Sequence, residues 1–258
     1  MRYALSTRSL EEMRRFVQAG ALLAFDFDGT LAPIVADPER VQMRRRTRSL
    51  LKRLAESSTC MVLTGRSRED AEPRLAGTGI RQLVGNHGAE PWAGAGRVRQ
   101  EVAGWGLVLT SELPPLEGLW IENKGMSLTI HYRQCRQKRQ ARASIETAAP
   151  LLKNVRLVEG KECVSLVSVR APHKGTALKA EMARLRFDRA LYLGDDETDE
   201  DAFALARGGA PVYAIRVGRK NRSHADYYLR DQAEVDELLT QLLEAAASGV
   251  ERHRARVE

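Results

Sequence analysis

Two aspartates, Asp26 and Asp28, lie two residues apart where an apolar segment gives way to a glycine turn, in FDFDGTL at residues 25–31. Residues 21–27 have the composition of a buried strand, and residues two apart in a strand point to the same side. Two carboxylates held so close repel each other unless a cation or a proton on one of them relieves the repulsion. The pair therefore indicates a site for chemistry.

A turn or a solvated strand end is the structural alternative for an Asp-X-Asp pair. The apolar residues before the pair and the Gly-Thr after it argue against that alternative. With those flanks the segment resembles the DXDGT signature of the haloacid dehalogenase superfamily of phosphatases. The resemblance implies that Asp26 is a nucleophile and that Asp28 is a general acid and base.

Thr64 and Arg66 end the next predicted strand, in LTGRS at residues 63–67, just before a predicted helix. Free N–H groups at a helix N-terminus bind anions, and Thr64 could donate its hydroxyl to a phosphate oxygen there. Capping of the helix by Ser67 or Thr64 is the alternative. Lys174, in HKGT at residues 173–176, could likewise place a positive charge on a phosphate, with ordinary solvent exposure as the alternative.

Six of the seven residues 195–201, DDETDED, are acidic, and they follow a predicted strand. A helix N-terminus stabilised by its dipole accounts for residues 197–201 but not for the two aspartates at the strand end. Together with the first pair, these carboxylates need a hard cation, and oxygen ligands without nearby His or Cys favour Mg²⁺. The resemblance to the superfamily then implies Asp26, Asp28, Asp195 and Asp199 as the metal ligands.

Longer motifs narrow the resemblance to the trehalose-6-phosphate phosphatase family, over residues 21 to about 203. These motifs are DFDGTLAPI at residues 26–34, TGRS at 64–67, GNHGAE at 85–90, ENKGMSLTIHYR at 122–133, HKGTAL at 173–178 and GDDETDEDAF at 194–203.

The resemblance also implies roles for residues outside the acidic motifs. Glu122 and Lys124 would bind sugar hydroxyls, and four further side chains would line the interface with the substrate: Arg66, His87, Arg133 and Arg170. One position departs from the family. Where the family usually reads Glu-Ile-Arg-Pro before its Lys-Gly, this chain has SVRA at residues 168–171. An expected sugar-binding carboxylate is therefore replaced by Ser168, which leaves the identity of the sugar open.

Strand and helix patterns alternate through much of the chain. Strands are predicted at residues 21–27, 59–63, 81–84, 190–193 and 212–215, and helices at 47–56, 68–75, 175–185 and 198–206. Such alternation predicts an α/β fold with a parallel sheet covered by helices on both faces. The resemblance makes this the Rossmann-like core of the haloacid dehalogenase superfamily. The active site of such a sheet lies at the carboxyl ends of its strands, where the motifs fall.

Residues 104–171 interrupt this alternation. Their pattern predicts a short helix from about residue 105, a hairpin of residues 119–122 and 126–132, a basic helix near 134–148, and a second hairpin of 155–159 and 162–169 whose turn is at 159–161. We therefore predict a smaller α+β cap domain inserted between two parts of the core, at residues 1–103 and 172–258. Closure of a cap would exclude bulk water from the reaction.

Composition and charge bound the partners. The 258 residues are 43% hydrophobic and 29% charged, which is typical of a folded globular protein. The net charge of +7 fits an acidic small substrate or a nucleic acid, but the basic clusters at residues 44–46 and 133–142 have the pattern of solvated helix faces and no aromatic platform beside them. We expect no nucleic-acid partner.

Location and assembly follow from weaker signals. No apolar segment approaches a membrane span, and the first 20 residues lack the pattern of a signal peptide. The scattered cysteines Cys60, Cys135 and Cys163 fit reduced thiols. We expect a cytoplasmic monomer with no membrane partner.

The predicted function is that of a Mg²⁺-dependent phosphatase that converts trehalose 6-phosphate to trehalose and phosphate through an aspartyl-phosphate intermediate. A trehalose-6-phosphate synthase would then act in the same pathway. Three alternatives stay open: a phosphatase of the same fold for another sugar phosphate, such as a phosphorylated disaccharide or glycosyl-glycerate; a catalytically silent module that binds a sugar phosphate; and a polyanion-binding protein.

Overall fold

The computed structural model describes residues 1–160 and 162–254, with side chains as far as residue 247. Lys161, in the predicted turn at residues 159–161, lies outside the described residues, as do residues 255–258 of the predicted second core segment.

The core is built on a parallel sheet, which has seven strands within the described residues. Every pairing between neighbours is parallel, so the predicted parallel sheet is confirmed. In their order across the sheet the strands are β1 (Arg2–Tyr3), β11 (Tyr227–Leu229), β10 (Val212–Val217), β9 (Ala190–Gly194), β2 (Leu22–Phe25), β3 (Cys60–Leu63) and β4 (Gln82–Val84).

The sequence predicts five of these strands, which are consecutive across the sheet: β10, β9, β2, β3 and β4. All four residues of β2 are fully buried, because helices cover both faces of the sheet and a strand there is apolar throughout. Strands β1 and β11, at the other side of the sheet, were not predicted. They have two and three residues, which is too short for a strand pattern to be recognised.

Helices cover the two faces of the core sheet. Apolar residues of α1 (Thr7–Gln18), α2 (Arg45–Ser57), α3 (Arg68–Leu75) and α8 (Val235–Arg254) pack on one face, and those of α6 (Lys174–Leu185) and α7 (Glu200–Arg207) pack on the other. The predicted helices do not include α8, although Leu238, Leu239 and Leu242 have helical spacing and are fully buried.

The cap is an antiparallel sheet with two helices on one face. Its strands are β5 (Trp120–Asn123), β6 (Ser127–His131), β8 (Cys163–Ser168) and β7 (Val155–Gly160), in that order across the sheet, and its helices are α4 (Ala95–Glu112) and α5 (Lys138–Ala148). A second, smaller α+β unit is therefore confirmed. Short 3-10 helices lie at Pro38–Arg40, Asn86–Gly88, Ala149–Leu151 and Gln232–Glu234.

Helix α4 begins at Ala95, ten residues before the predicted start. Gly104 and Gly106 lie inside it, and glycine weakens a helix interior. Packing outweighs that cost, because Val98, Val102 and Trp105 form a buried stripe against the cap sheet. A domain boundary at residue 103 would cut this helix, so we propose that the cap begins near residue 95.

Alternate residues of the two central cap strands face in opposite directions. Leu128, Ile130, Val164 and Leu166 pack in one apolar cluster with residues of α4 and α5. The residues between them therefore point toward the core. In the described part of the chain, no helix is both long and apolar enough to cross a membrane.

Candidate active site

The carboxyl ends of β2, β3 and β9 lie side by side at the edge of the core sheet that faces the cap. A cavity of about 490 Å³ separates them from the cap. Most of the predicted site residues line it: Asp26, Asp28, Arg66, His87, Glu122, Lys124, Arg133, Lys174 and Asp195.

Lys174 is buried and bridges two carboxylates. Its Nζ lies 2.7 Å from Oδ1 of Asp26 and 2.7 Å from Oδ1 of Asp199. Asp26 directly follows β2, and its N–H donates to the carbonyl of Leu193 in β9. Lys174 is the first residue of α6, so the start of that helix brings an ammonium group to the end of the central strand.

Asp199 accepts four hydrogen bonds. Its Oδ1 accepts from Lys174 and from the hydroxyl of Tyr192, which is 2.6 Å away. Its Oδ2 accepts from the backbone N–H groups of Asp195 and Asp196, each at 2.9 Å. A carboxylate offers about four acceptor positions, so those of Asp199 are filled. Asp199 therefore fixes both the ammonium group and the backbone of the acidic loop.

Gly29 brings the two acidic segments together. Its φ of +84° is in the left-handed region, and a Cβ added there would lie 2.1 Å from Oδ2 of Asp195. The next residue, Thr30, donates its hydroxyl to Oδ1 of Asp195 over 3.1 Å. The glycine of the DGT motif is thus required both by the turn and by the approach of the second carboxylate.

Carboxylate oxygens of Asp26, Asp195 and Asp199 lie within 4.8 Å of one another. Burial raises the pKa of Asp26, and nearby carboxylates add to the rise while Lys174 opposes it. Burial and the charges of Asp196 and Asp199 likewise raise the pKa of Asp195, and burial raises that of Asp199 to about 6 against the effect of Lys174. The three carboxylates carry more negative charge than the nearby Lys174 balances, and a metal ion bound there would have only oxygen ligands, which Mg²⁺ prefers.

The side chain of Asp28 points to a guanidinium and is not among those three carboxylates. Arg66 donates from Nε and Nη2 to its two oxygens, each over 2.7 Å. Arg66 lies just beyond the end of β3 and pairs with both oxygens of Asp28, so in this structure the Asp28 carboxylate is not directed at a metal ion as predicted. Asp28 lines the cavity together with Asp26.

Thr64 and Ser67 have different roles in the turn before α3. Ser67 caps the helix, since its hydroxyl accepts from the N–H of Asp70 over 3.2 Å. Thr64 is fully buried, and its hydroxyl oxygen accepts from the N–H of Arg66 over 3.1 Å. Thr64 does not line the cavity in this structure, so its bond to a phosphate oxygen stays a prediction.

His87 is a buried, neutral side chain at the cavity. Neither ring nitrogen has a hydrogen-bond partner within the described residues. Burial lowers the pKa of His87 to about 3, and the charges of Lys124 and Lys174 contribute. Its φ of +57° is unusual for histidine, and a Cβ added to Gly65 would lie 2.4 Å from its Cε1 atom. The ring therefore offers one donor and one acceptor for which this conformation provides no protein partner.

Glu122, Lys124 and His131 form a charged group on the cap side of the cavity. Oε2 of Glu122 lies 2.8 Å from Nε2 of His131 and 3.5 Å from Nζ of Lys124. Burial acts to raise the pKa of Glu122, but the hydrogen bond with His131 and the charge of Lys124 outweigh it and lower the pKa. Trp120 stacks on the His131 ring with centroids 4.1 Å apart. Glu122 is thus held as an ionised acceptor.

Hydrogen bonds join the cap to the core around the cavity. Nη1 of Arg133 donates to the carbonyl of Val35 over 2.6 Å. Nδ2 of Asn86 donates to the carbonyl of Lys124 over 3.1 Å, and the hydroxyl of Ser127 donates to Oδ1 of Asn86 over 3.0 Å. The structure therefore has the cap closed on the core.

Arg170 and Ser168 do not face the cavity as the resemblance implies. The hydroxyl of Ser168 donates to Oε2 of Glu101 in α4 over 2.9 Å, and Nη1 of Arg170 lies 2.9 Å from Oε1 of the same residue. Ser168 shares the helix-facing side of β8 with Leu166, because the two are separated by one residue. In this structure residue 168 therefore points away from the space for the sugar, and its role in substrate binding stays a prediction.

Arg216 is a buried residue that the sequence motifs do not include. Its Nη1 donates to the carbonyl of Asp196 over 3.0 Å and to Oε1 of Glu200 over 2.8 Å, and its Nη2 donates to the carbonyl of Asp195. It thereby holds the backbone of the acidic loop. The sequence feature that could have identified Arg216 is an arginine within the otherwise apolar strand sequence VYAIRV.

A parallel sheet that carries its carboxylates at the carboxyl ends of β2 and β9, beneath an inserted cap, defines the haloacid dehalogenase fold. The C-terminal domain of C. albicans trehalose-6-phosphate phosphatase has this fold: its TM-score is 0.80 at 22% sequence identity, over 95% of this chain and 98% of that chain.

The family is shown by sequence. The model of the trehalose-phosphatase family matches residues 24–233, and the chain belongs to that family. Trehalose-phosphate phosphatase of Mycobacterium avium (strain 104) is 32% identical over 217 residues, 78% of this chain and 55% of that protein. Probable trehalose-phosphate phosphatase D of Arabidopsis thaliana is 27% identical over 248 residues, 86% of this chain and 67% of that protein. The chain thus spans between about half and two thirds of these relatives. The predicted enzyme class, phosphoric monoester hydrolase, is confirmed for the family.

Proposed function

We propose that this chain hydrolyses trehalose 6-phosphate to trehalose and inorganic phosphate. The observation that carries the proposal is the position of Asp26, which is 4% exposed, on the wall of the cavity and 2.7 Å from the buried ammonium group of Lys174. A buried carboxylate beside a fixed positive charge suits attack on a phosphate ester, because the charge of the phosphate is neutralised where the bond forms.

Two carboxylates of the core, those of Asp26 and Asp28, would carry the reaction through two steps. An oxygen of Asp26 attacks phosphorus, and the bond from phosphorus to the sugar oxygen breaks as Asp28 gives that oxygen a proton. Asp28 then takes a proton from the water that attacks the aspartyl-phosphate, which releases phosphate and restores Asp26. Arg66 must yield one oxygen of Asp28 for this exchange, and its guanidinium could turn to the arriving phosphate.

A magnesium ion fits the carboxylates near Asp26. Asp26 and Asp195 would hold it, while Asp199, whose acceptor positions are filled, would orient the loop and Lys174. Such an ion supplies neutralisation of phosphate charge. Thr64 and His87 would donate hydrogen bonds to phosphate oxygens or to the ester oxygen.

The cap would recognise the sugar. Glu122 accepts hydrogen bonds from hydroxyls, and Lys124 donates to them, while Arg133 carries positive charge at the side where the cap meets Val35. We further propose a monomer in the cytoplasm, where the unpaired Cys60, Cys135 and Cys163 stay reduced and a synthase supplies the phosphorylated sugar.

A second sugar phosphate is the competing substrate, and one observation favours it. From β8, Cys163 and Ser165 line the cavity, and neither is acidic. The resemblance implies a sugar-binding carboxylate on this strand, at residue 168, and β8 supplies none.

Phosphate release from a panel of sugar phosphates tests the proposal. We expect trehalose 6-phosphate to give the highest kcat/KM, with activity removed by EDTA and restored by Mg²⁺. Asp26→Asn should lose turnover and stay folded, while Asp188→Asn, at an exposed position remote from the cavity, should match the wild type. Preference for another sugar phosphate would support the competing substrate, and no release from any would support a silent binding module.

A further inference from the structure

Thr129 and Ser165 form a hydroxyl pair on the cavity-facing side of the cap sheet. The strand register places Glu122 opposite Thr129 and Thr129 opposite Ser165, so the three residues lie in one row across β5, β6 and β8. The two hydroxyl oxygens are 3.2 Å apart, and all three side chains line the cavity.

The pair has one hydrogen to spare. Two hydroxyls carry two hydrogens, and the bond between them uses one. The second hydrogen has no acceptor within the described residues, although Thr129 is 2% exposed and Ser165 is 9% exposed. A buried donor without an acceptor costs free energy, so a ligand oxygen placed there would be favoured.

Glu122 supplies the opposite function in the same row. Its carboxylate accepts but does not donate, and its Oε2 is taken by His131, which leaves Oε1 for a ligand. A spare donor next to a spare acceptor is complementary to a hydroxyl group, or to two hydroxyls on neighbouring carbons of a sugar ring.

We propose that Thr129 and Ser165 determine specificity, by donating a hydrogen bond to a hydroxyl oxygen of the sugar whose hydroxyl hydrogen Glu122 accepts. This inference rests on the proposed function and adds the residues that select the sugar. In this proposal the residues that distinguish one sugar from another lie in the middle of the cap sheet, and Ser168, whose hydroxyl faces α4, is not one of them.

The test compares two substrates in a double variant, Thr129→Val with Ser165→Ala, which removes both hydroxyls. We expect kcat/KM for the preferred sugar phosphate to fall about 10-fold or more, which corresponds to ~1.4 kcal/mol or more. Hydrolysis of p-nitrophenyl phosphate, which has no sugar hydroxyls, should change less than about twofold and shows that the core is folded. Two control variants should each stay close to the wild type. Thr129→Ser keeps a hydroxyl donor at residue 129, and Ser168→Ala removes a hydroxyl from the opposite face of the cap sheet.

Equal losses on both substrates in a folded double variant, or no loss on either, would overturn the inference. If the double variant does not fold, the single variants decide: a selective loss in Thr129→Val or Ser165→Ala supports it, and none in either overturns it. The wild type on the sugar-phosphate panel tests the proposed function separately. Preferred release from trehalose 6-phosphate without selective loss in the variants refutes this inference and leaves the proposed function standing, whereas no release from any sugar phosphate refutes both.

Discussion

Arg156 of the cap and Asp201 of the core form a two-point ion pair, with Nη1 3.0 Å from Oδ1 and Nη2 2.7 Å from Oδ2. Asp201 lies in the first turn of α7, two residues after Asp199. The pair therefore connects the edge strand of the cap to the segment that continues from the acidic loop, and it is a contact separate from that between Arg133 and Val35.

Arg156→Ala should favour opening of the cap. The two side chains are 38% and 21% exposed, and a partly exposed ion pair contributes about 1 kcal/mol or less. We expect KM for the sugar phosphate to rise by up to about fivefold, with the difference shrinking at high salt. Steady-state kinetics at two salt concentrations would check this. The control is Arg142→Ala, which loses ion pairs with Glu146 and Glu159 inside the cap and should leave KM unchanged. Similar KM values for the wild type and both variants would exclude a role of the Arg156–Asp201 pair in closure of the cap.

Asp195→Ala should weaken Mg²⁺ binding, because few carboxylates converge on the site. We expect the half-saturating Mg²⁺ concentration to rise about 10-fold or more. Mg²⁺ should raise the Tm of the wild type and have little effect on that of the variant, since a ligand stabilises the state that binds it. Asp188→Ala is the matched control. An unchanged metal requirement in Asp195→Ala would remove this residue from the ligand set.

Tyr192→Phe deletes one hydrogen bond to the Asp199 carboxylate. Hydrogen bonds to charged groups contribute about 1.5 to 3 kcal/mol, so the free energy of unfolding should fall by about that amount. Urea unfolding measures the change. Tyr228→Phe, whose hydroxyl makes no hydrogen bond within the described residues, should fall by much less. Equal stability of the two variants would show that the short Tyr192 contact has little energetic weight.

His87 should make the protein less stable as the pH falls. The unfolded chain binds a proton at His87 below pH 6.5, whereas the folded protein, in which its pKa is lowered to about 3, does not. The stabilisation is therefore complete above pH 6.5 and is lost as the pH falls toward 3. Between about pH 6 and 4, the free energy of unfolding should drop by up to about 1.4 kcal/mol per pH unit more in the wild type than in His87→Asn. Asparagine accepts the left-handed backbone and does not titrate. If the free energy of unfolding falls equally with pH in the wild type and in His87→Asn, the His87 ring is in contact with water.

Ser168→Glu should not improve hydrolysis of trehalose 6-phosphate. The new carboxylate would meet Glu101, whose side chain is 16% exposed, and like charges in a buried setting repel. We expect a loss of about 1 to 3 kcal/mol in the free energy of unfolding, with the ratio of kcat/KM for the sugar phosphate to that for p-nitrophenyl phosphate unchanged. Adding Glu101→Gln should recover much of the stability. A selective gain on trehalose 6-phosphate would instead place residue 168 at the sugar.

The sequence by itself determined the central sheet and the segments that carry the chemistry. Parallel strands buried on both faces are apolar throughout, so β2, β3 and β9 could be recognised one by one. Each ends in polar residues, and the carboxyl ends of parallel strands meet at one edge. The proximity of Asp26 and Asp195 followed from that geometry without any knowledge of side-chain contacts, whereas Lys174, at the start of α6, was indicated by the family resemblance.

The tertiary structure decided which of these groups pair and which way they face. The partners of Asp199, Arg66 and Arg156 are set by contacts between separate elements, and local sequence does not specify such contacts. A strand pattern shows that Ser165 and Ser168 point to opposite sides, but which side meets the helices depends on how α4 and α5 dock. Packing also overrode the glycines of α4, because the free energy gained by burying its apolar stripe exceeds what two glycines cost a helix.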